Sequence, residues 1–518
     1  MNRAHPAPAE LRARWRVEGI WTEETLLDRL ASVAGETLAI VDGAVRLSVA
    51  DLRERSARLA GVLRAQGVGP GSVVAWQLPN WWEAVVLCWA IWRCGAVASP
   101  ITPTLGAHEV GFILRATNPA VVVVPRSFRG TDYRALARSA GYDGELIVVR
   151  DGTPLPEGSV GPDAPVQVDD AAVVLWTSGT TSDPKGVVHT HQSLRVEADT
   201  IASAHAMRPG ESLLLPMPVT HVAGLTYGIL LPATGAITTV LMDTWDPGRA
   251  LRLVEQESIG VMISTPVFMR TMIDHPAFDA TERASVRLFS LGGAGVAPSM
   301  VREGASAFDC WCKRTYGSTE YPTLTTGRFG DAPERDAETD GRPIGAAELR
   351  IVDPRTLADV ETGAAGELLA RGPEMFTGYL DAALDAAAFT GDGWFRTGDV
   401  AVFDGEYLTI VDRLKDIIIR GGENISAQEV EALLVTHVDV AEAACVAMPD
   451  VVMGEKLCAF VIPASERTPS LDAIRAHLLE QGLARFKLPE RIEVRATLPR
   501  TASGKVQKQP LREELRGG

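Results

Sequence analysis

The chain has 518 residues, 46% of them hydrophobic and 22% charged, a balance that excludes a disordered tail, a collagen and a disulfide-stapled mini-protein. At ~150 residues per domain the length predicts about three domains, each able to bury a core without metals or crosslinks. Fifty Lys and Arg against 66 Asp and Glu leave a net charge of −16, which argues against a nucleic-acid binder or a peripheral membrane protein.

Met1–Glu10 is rich in Ala and Pro and lacks the apolar core of a signal peptide. Leu52–Ala65 has apolar residues at helical spacing, and Gly69-Pro-Gly71 ends that pattern. Val73–Leu78 reads as a buried strand and Trp81–Trp92 as a buried helix. The apolar run Ala84–Trp92 is too short to span a bilayer and ends at Arg93. Ala120–Val124, Leu146–Val149 and Gly260–Ser264 are further short strands. This alternation predicts α/β layers around largely parallel sheets. From Leu349 to Leu369 short strands with Gly and Asp turns predict a small β-rich piece, and Val402–Val411 a hairpin around Asp404-Gly405. Past Asp412 the chain restarts as an α+β module of about a hundred residues: strand Ile417–Ile419, helix Ala427–Leu434, strands Ala441–Met448 and Leu457–Ile462, and helix Leu471–Gln481. The fold class is α/β, with a large N-terminal domain of layered α/β subdomains plus the β-rich piece over 1–412, and a small mobile α+β C-terminal domain over 416–518.

The charge is uneven. From Arg413 onward basic and acidic residues balance at 15 each, and from Arg485 onward nine basic residues face four acidic ones, which suggests a local role with anions. The six cysteines, Cys88, Cys94, Cys310, Cys312, Cys445 and Cys458, sit in apolar runs. Cys310-Trp-Cys312 has no second ligand pair at zinc-like spacing, so all six read as buried thiols in a reduced, cytoplasmic protein. His189 and His191 alternate as on a strand and lack a third ligand, so neither is assigned a metal.

An apolar strand ends at Trp176, and five of the next six residues are Ser or Thr: Thr177, Ser178, Thr180, Thr181 and Ser182, with Gly179 among them. Pro184-Lys185-Gly186 closes the loop. Hydroxyls, bared N–H groups and one lysine are what a polyphosphate needs. The spacing is not the Walker pattern, because Lys185 is followed by Gly.

This loop resembles that of the adenylate-forming superfamily: acyl-CoA synthetases, adenylation domains and luciferases. It departs at Ser182, where the family usually has Gly. Tyr316-Gly317-Ser318-Thr319-Glu320 matches the family's next signature. The resemblance implies that Tyr316 stacks on adenine, Thr319 binds the α-phosphate and Glu320 holds Mg²⁺. Gly293-Ala294-Gly295 is similar to the segment lying against adenine. Asp399 and Arg413 match the ribose-binding positions, and Asp412 stands where the family more often has Gly. Residues 413–415 resemble the hinge. Gly422 matches the glycine that lets a pantetheine arm pass, and Lys505 the catalytic lysine. His221, in Pro216-Met-Pro-Val-Thr-His221, matches a position beside the adenylate and reads as a gate or pocket wall. Val222 stands where amino-acid-activating relatives carry Asp, so the resemblance implies an apolar acyl pocket, with Leu225, Tyr227, Gly228 and Tyr321 as candidate lining.

The function so implied is ATP- and Mg²⁺-dependent conversion of a carboxylic acid to its adenylate, then to a thioester. The C-terminal domain would rotate about Lys415 between the two steps. The acceptor is coenzyme A, or the phosphopantetheine of a carrier protein, or another nucleophile; the Arg485–Arg516 region would face either a nucleotide or an acidic carrier. The texture of Arg14–Trp21 is similar to ligases of medium-chain, alicyclic and aryl acids. A luciferase-like oxygenase and a non-catalytic relative are the competing classes, the latter opposed by the intact Lys505, Glu320 and Asp399. A monomer and a homodimer both fit.

Overall fold

The computed structural model describes residues 4–177, 184–234, 237–421, 423–465, 467–500 and 505–517. They form two compact units. One comprises Met1–Ala337, Gly341–Glu348 and Ala370–Phe395; the other Glu338–Asp340, Leu349–Leu369 and Arg396–Gly518. Leu349–Leu369 and Arg396–Asp412, which the sequence reading groups with the N-terminal body, thus cluster with the C-terminal residues.

The larger unit holds two sheets. The first runs in parallel through Leu38–Asp42, Thr238–Leu241, Ser212–Leu215, Ile259–Ser264, Leu288–Gly292 and Trp311–Tyr316. Short antiparallel strands, Val45–Ser48 and Thr325–Thr326, flank it. The second orders Gly378–Tyr379, Lys185–Thr190, Ala171–Thr177, Val97–Pro100, Val73–Trp76, Val121–Pro125 and Glu145–Val149. It is parallel from Ala171–Thr177 onward. One hydrophobic core joins strands of both sheets to helices Val49–Ala65, Trp82–Arg93 and His191–Ala204. Val49–Ala65 begins at a capping box, in which Ser48 Oγ accepts from Asp51 N–H and the Asp51 carboxylate from Ser48 N–H. Trp82–Arg93 is buried from Glu83 to Trp92, as its all-round apolar pattern requires. Among the described residues no helix is long and apolar enough to cross a membrane.

In the smaller unit, Phe395–Phe403 and Leu408–Arg413 form the expected hairpin. Beyond it, Val440–Asp450 pairs antiparallel with Gly454–Pro463. Strand alternation there feeds two cores. Cys445, Leu457, Ala459 and Val461 pack with helices Ala427–Leu434 and Leu471–Glu480. Ala444, Val446, Cys458 and Phe460 pack with Leu511 of the C-terminal helix Lys508–Gly517. Asp412 helps to anchor the Ala427–Leu434 helix. Its Oδ2 accepts from Ser426 Oγ at 2.9 Å and Gln428 N at 3.2 Å, beside the Ser426 cap of that helix. All six cysteines are free; burial raises the Cys310 thiol to about 12.

Candidate active site

In an open parallel sheet, ligands bind beyond the carboxyl ends of the strands. Leu288–Gly292 and Trp311–Tyr316 are adjacent and parallel there, Gly292 opposite Thr315. Gly293-Ala294-Gly295 and Tyr316–Glu320 therefore leave the sheet side by side. Gly293 has φ +74°, a conformation that favours glycine. Gly317 is fixed by space: a Cβ there would lie 1.9 Å from the Pro322 carbonyl oxygen. Ser318 N donates to Tyr321 O at 2.8 Å, and Tyr321 N to Ser318 Oγ at 3.1 Å. The signature is thus a tight turn with Thr319 and Glu320 at its tip.

Two side chains not singled out as site residues by the sequence hold that tip. His189 Nε2 lies 2.7 Å from the Thr319 carbonyl oxygen. Burial lowers the His189 pKa to about 4, so the imidazole is neutral and its Nε2 hydrogen goes to that carbonyl. Tyr379 donates its phenol hydrogen to Glu320 Oε1 at 2.8 Å, and burial, with the Glu320 charge second, pushes the phenol above its ordinary value. The Tyr379 ring centroid lies 5.3 Å from Lys185 Nζ, within cation–π range. Lys185 opens its strand opposite Thr177, the last residue of the preceding one. The polar loop therefore bridges two antiparallel strands. Ser178, Gly179, Thr180 and Thr181 lie outside the described residues, as does Gly422.

His221 precedes a short helix, Val222–Leu225, and donates its N–H to Pro218 O at 2.9 Å. Asn80 pins the segment before it. Its amide donates to Met217 O at 2.8 Å and Met242 O at 3.0 Å, and its Oδ1 accepts from Val219 N at 2.8 Å. The candidate lining residues are buried: Leu225 in the core, Tyr227 with its hydroxyl 3.0 Å from His205, Tyr321 with its hydroxyl donated to Glu374 at 2.9 Å. Side chains of Leu215 and Val219 crowd Gly228 where a Cβ would be.

In the smaller unit, Asp399 and Arg413 are cross-strand partners. Arg413 Nε meets Asp399 Oδ1 at 2.9 Å, the carboxylate buried and the guanidinium half-exposed. A pre-aimed carboxylate suits a diol, because each oxygen accepts one hydrogen. Lys505 is exposed as a whole residue, yet burial of its ammonium, then the Arg413 charge, lower its pKa to about 8, opposed by Asp399. Burial, then Arg413, likewise bring Lys415 to about 8. The basic terminal stretch is largely spent inside this unit. Lys487 pairs with Glu429, Arg495 with Glu493 and Glu514, Arg500 with Glu442, Lys508 with Glu431 and Arg512 with Asp416. These partners mostly lie far off in sequence, so a count of charges overstates the patch.

A family of AMP-binding enzymes matches residues 27–380, and the C-terminal domain of AMP-binding enzymes matches 429–505. The chain belongs to this adenylate-forming family, and it is an AMP-forming acid–thiol ligase. It is 30% identical to a medium-chain fatty-acid–CoA ligase of Escherichia coli strain K12, over 97% of this chain and 93% of that one. It is 34% identical to a salicylyl-CoA synthase/salicylate adenylyltransferase of a Streptomyces species, over 99% and 97%. Its fold matches ATP-bound MatB from Rhodopseudomonas palustris with a TM-score of 0.86 and 28% identity, over 95% and 99%.

Proposed function

We propose that the chain converts a medium-chain, alicyclic or aryl carboxylic acid to its adenylate and passes the acyl group to the thiol of coenzyme A. One observation carries the reading: Tyr379 joins Glu320 to Lys185 beside the paired strand ends that present Gly293–Gly295 and Tyr316. That arrangement supports a site in which Tyr316 would face a nucleotide plane, Glu320 would supply a carboxylate and Lys185 a cation for phosphate.

A carboxylate resists nucleophiles, and its own attack on the α-phosphate of ATP replaces that resistance with a good leaving group, AMP. In-line attack builds charge on the α-phosphate. Tyr316 would pack on adenine, and Thr319, held by His189, would donate to the α-phosphate. Lys185 and the hydroxyls of Thr177, Ser178, Thr180 and Thr181 would hold the departing pyrophosphate. Glu320 fits Mg²⁺, being a half-buried hard oxygen donor with Oε1 already oriented by Tyr379. When bound, that ion supplies charge neutralisation at the phosphates. Asp399 and Arg413 would take the ribose, and Lys505 would add its charge during adenylation. Residues 413–415 would serve as a hinge and Gly422 would border the pantetheine arm in the second half-reaction.

Pyrophosphate release over a panel of carboxylic acids, each with and without coenzyme A, tests this reading. Acid-dependent release that yields an acyl thioester only with coenzyme A supports it. Release without thioester, rising when a phosphopantetheine-loaded carrier is supplied, moves the acceptor to a carrier protein. No release with any acid refutes it.

A further inference from the structure

Lys313 lies on the strand Trp311–Tyr316, three residues before Tyr316, and is 0% exposed. A buried ammonium is costly unless each of its three hydrogens meets an acceptor. Lys313 Nζ donates to Thr326 Oγ1 at 2.8 Å and to Gly327 O at 2.8 Å, and lies 3.1 Å from His205 Nδ1. The ring of Trp311, two residues away on the same face of the strand, is centred 4.3 Å from it. Neither half-reaction described above uses this group.

Its contacts lead toward the nucleotide segments. Thr326 Oγ1 is also 2.6 Å from Thr315 Oγ1, and Thr315 Oγ1 is 2.6 Å from Ser290 Oγ. A continuous row of hydroxyls thus runs from the ammonium across three neighbouring strands, Thr325–Thr326, Trp311–Tyr316 and Leu288–Gly292. The row stops one residue before Tyr316 and two before Gly292, where the strands release the segments assigned to adenine. A charge at the head of such a row polarises every bond in it. A neutral amine has two hydrogens for the same three acceptors, so one bond must be given up or reversed.

We propose that Lys313 is a positioning residue for adenylation: through Thr326 and Thr315 it holds the strand ends that seat the adenine of ATP, and it holds them fully only as the ammonium. This rests on the adenylation reading and deepens it by giving the nucleotide seat a titratable support from behind. Burial, with Arg287 adding to it and Asp336 and Asp331 opposing, brings Lys313 to about 7. The other groups facing it are settled. His205 is held neutral chiefly by burial, and its Nε2 lies 3.0 Å from the Tyr227 hydroxyl, itself kept protonated by burial. Arg287 is paired with Glu211 and Asp331 with Arg342. Asp336, raised to about 6 by burial, accepts from Trp311 Nε1 at 2.9 Å. Lys313 is the one of these groups that changes charge as pH passes about 7.

The test is acid-dependent ATP–pyrophosphate exchange at saturating Mg²⁺ from pH 6 to 9, with KM for ATP read separately from kcat, where the Lys505 charge acts. The wild-type KM should rise by about threefold or more as pH passes 7 and then level off, the scale of coupling carried by a packed polar network. Lys313→Met, which removes the charge and its hydrogens, should show the raised KM already at pH 6 and no step at 7. Thr326→Val, which cuts the row but leaves Lys313 its other two acceptors, should do the same. Thr326→Ser, which keeps the hydroxyl, should restore both the low KM and the step. The two Thr326 variants carry the test if Lys313→Met fails to fold. A wild-type KM that is flat across the range overturns the proposal, as does a step that persists in Lys313→Met. So does a Thr326→Val enzyme that melts earlier with its KM profile unchanged, which marks a merely structural role. Exchange with no carboxylic acid overturns the adenylation reading and this proposal together, whereas exchange with a flat KM overturns this proposal alone.

Discussion

Tyr379 and Glu320, 59 residues apart, meet at 2.8 Å, phenol hydroxyl to carboxylate. The relationship works in two directions. It fixes one oxygen of the carboxylate assigned to Mg²⁺, and it places an aromatic face under Lys185. Tyr379→Phe removes only the hydroxyl. A hydrogen bond to a charged group is worth ~1.5–3 kcal/mol, so the exchange rate at limiting Mg²⁺ should fall by about tenfold or more and recover in part at high Mg²⁺. Tyr379→Leu, which also removes the ring, should in addition raise KM for pyrophosphate in the reverse reaction.

His189 is a positioning residue acting through the Thr319 carbonyl. His189→Ala should lower kcat for adenylation more than it raises KM for the acid, because Thr319 is assigned to the transition state. His189→Gln, which can still donate to the carbonyl, should restore part of the rate. Steady-state exchange kinetics on the three proteins check this.

Buried neutral histidines set the acid side of the stability profile. His5 is lowered to about 3 and His189 and His191 to about 4, in each case chiefly by burial. Between those values and 6.5 the unfolded chain binds more protons, so stability rises with pH in that window and is lost as pH falls toward 4. The His189 shift alone corresponds to roughly 3 kcal/mol at pH 4. Glu197 acts at the other end. Its raised value means that stability is fully present below its unfolded pKa and is lost as pH climbs toward about 8. Thermal melts across pH 4–9 should trace a dome, with Glu197→Gln flatter on its alkaline side and His189→Gln flatter on its acid side.

Lys505→Ala should abolish acid-dependent exchange while leaving thioester formation from supplied acyl-adenylate within a few-fold of wild type. With its pKa near 8, Lys505 loses its charge as pH rises through that value, so adenylation should fall there. Lys505→Arg should remain charged and move that limb upward. Equal loss of both half-reactions in Lys505→Ala would contradict the division of labour between Lys505 and Gly422.

What was legible in the sequence was what is local. The turn from Tyr316 to Glu320 and the helices at Leu52–Ala65 and Ala427–Leu434 all carry their signals within about fifteen residues. Asp399 and Arg413 were found as separate motifs, and the hairpin register makes them a pair. Partners from distant segments were not visible. Asn80 reaches Met217 and Met242, Tyr379 reaches Glu320, and Glu197 reaches Thr323, each through tertiary packing that no spacing rule encodes. The acidic partners of the basic terminal residues were hidden for the same reason, since Glu429, Glu431 and Glu442 lie in an earlier helix and strand. The partners of the Tyr227 and Tyr321 hydroxyls, His205 and Glu374, were equally out of reach of any local pattern.

Acid-dependent ATP–pyrophosphate exchange by the wild type and by Glu320→Gln, measured side by side at saturating Mg²⁺, bears most directly on the central claim. The account predicts exchange with at least one carboxylic acid in the wild type and a loss of a hundredfold or more in Glu320→Gln, with the fold retained by thermal melt. Undiminished exchange in the variant, or none in the wild type with any acid, would contradict it.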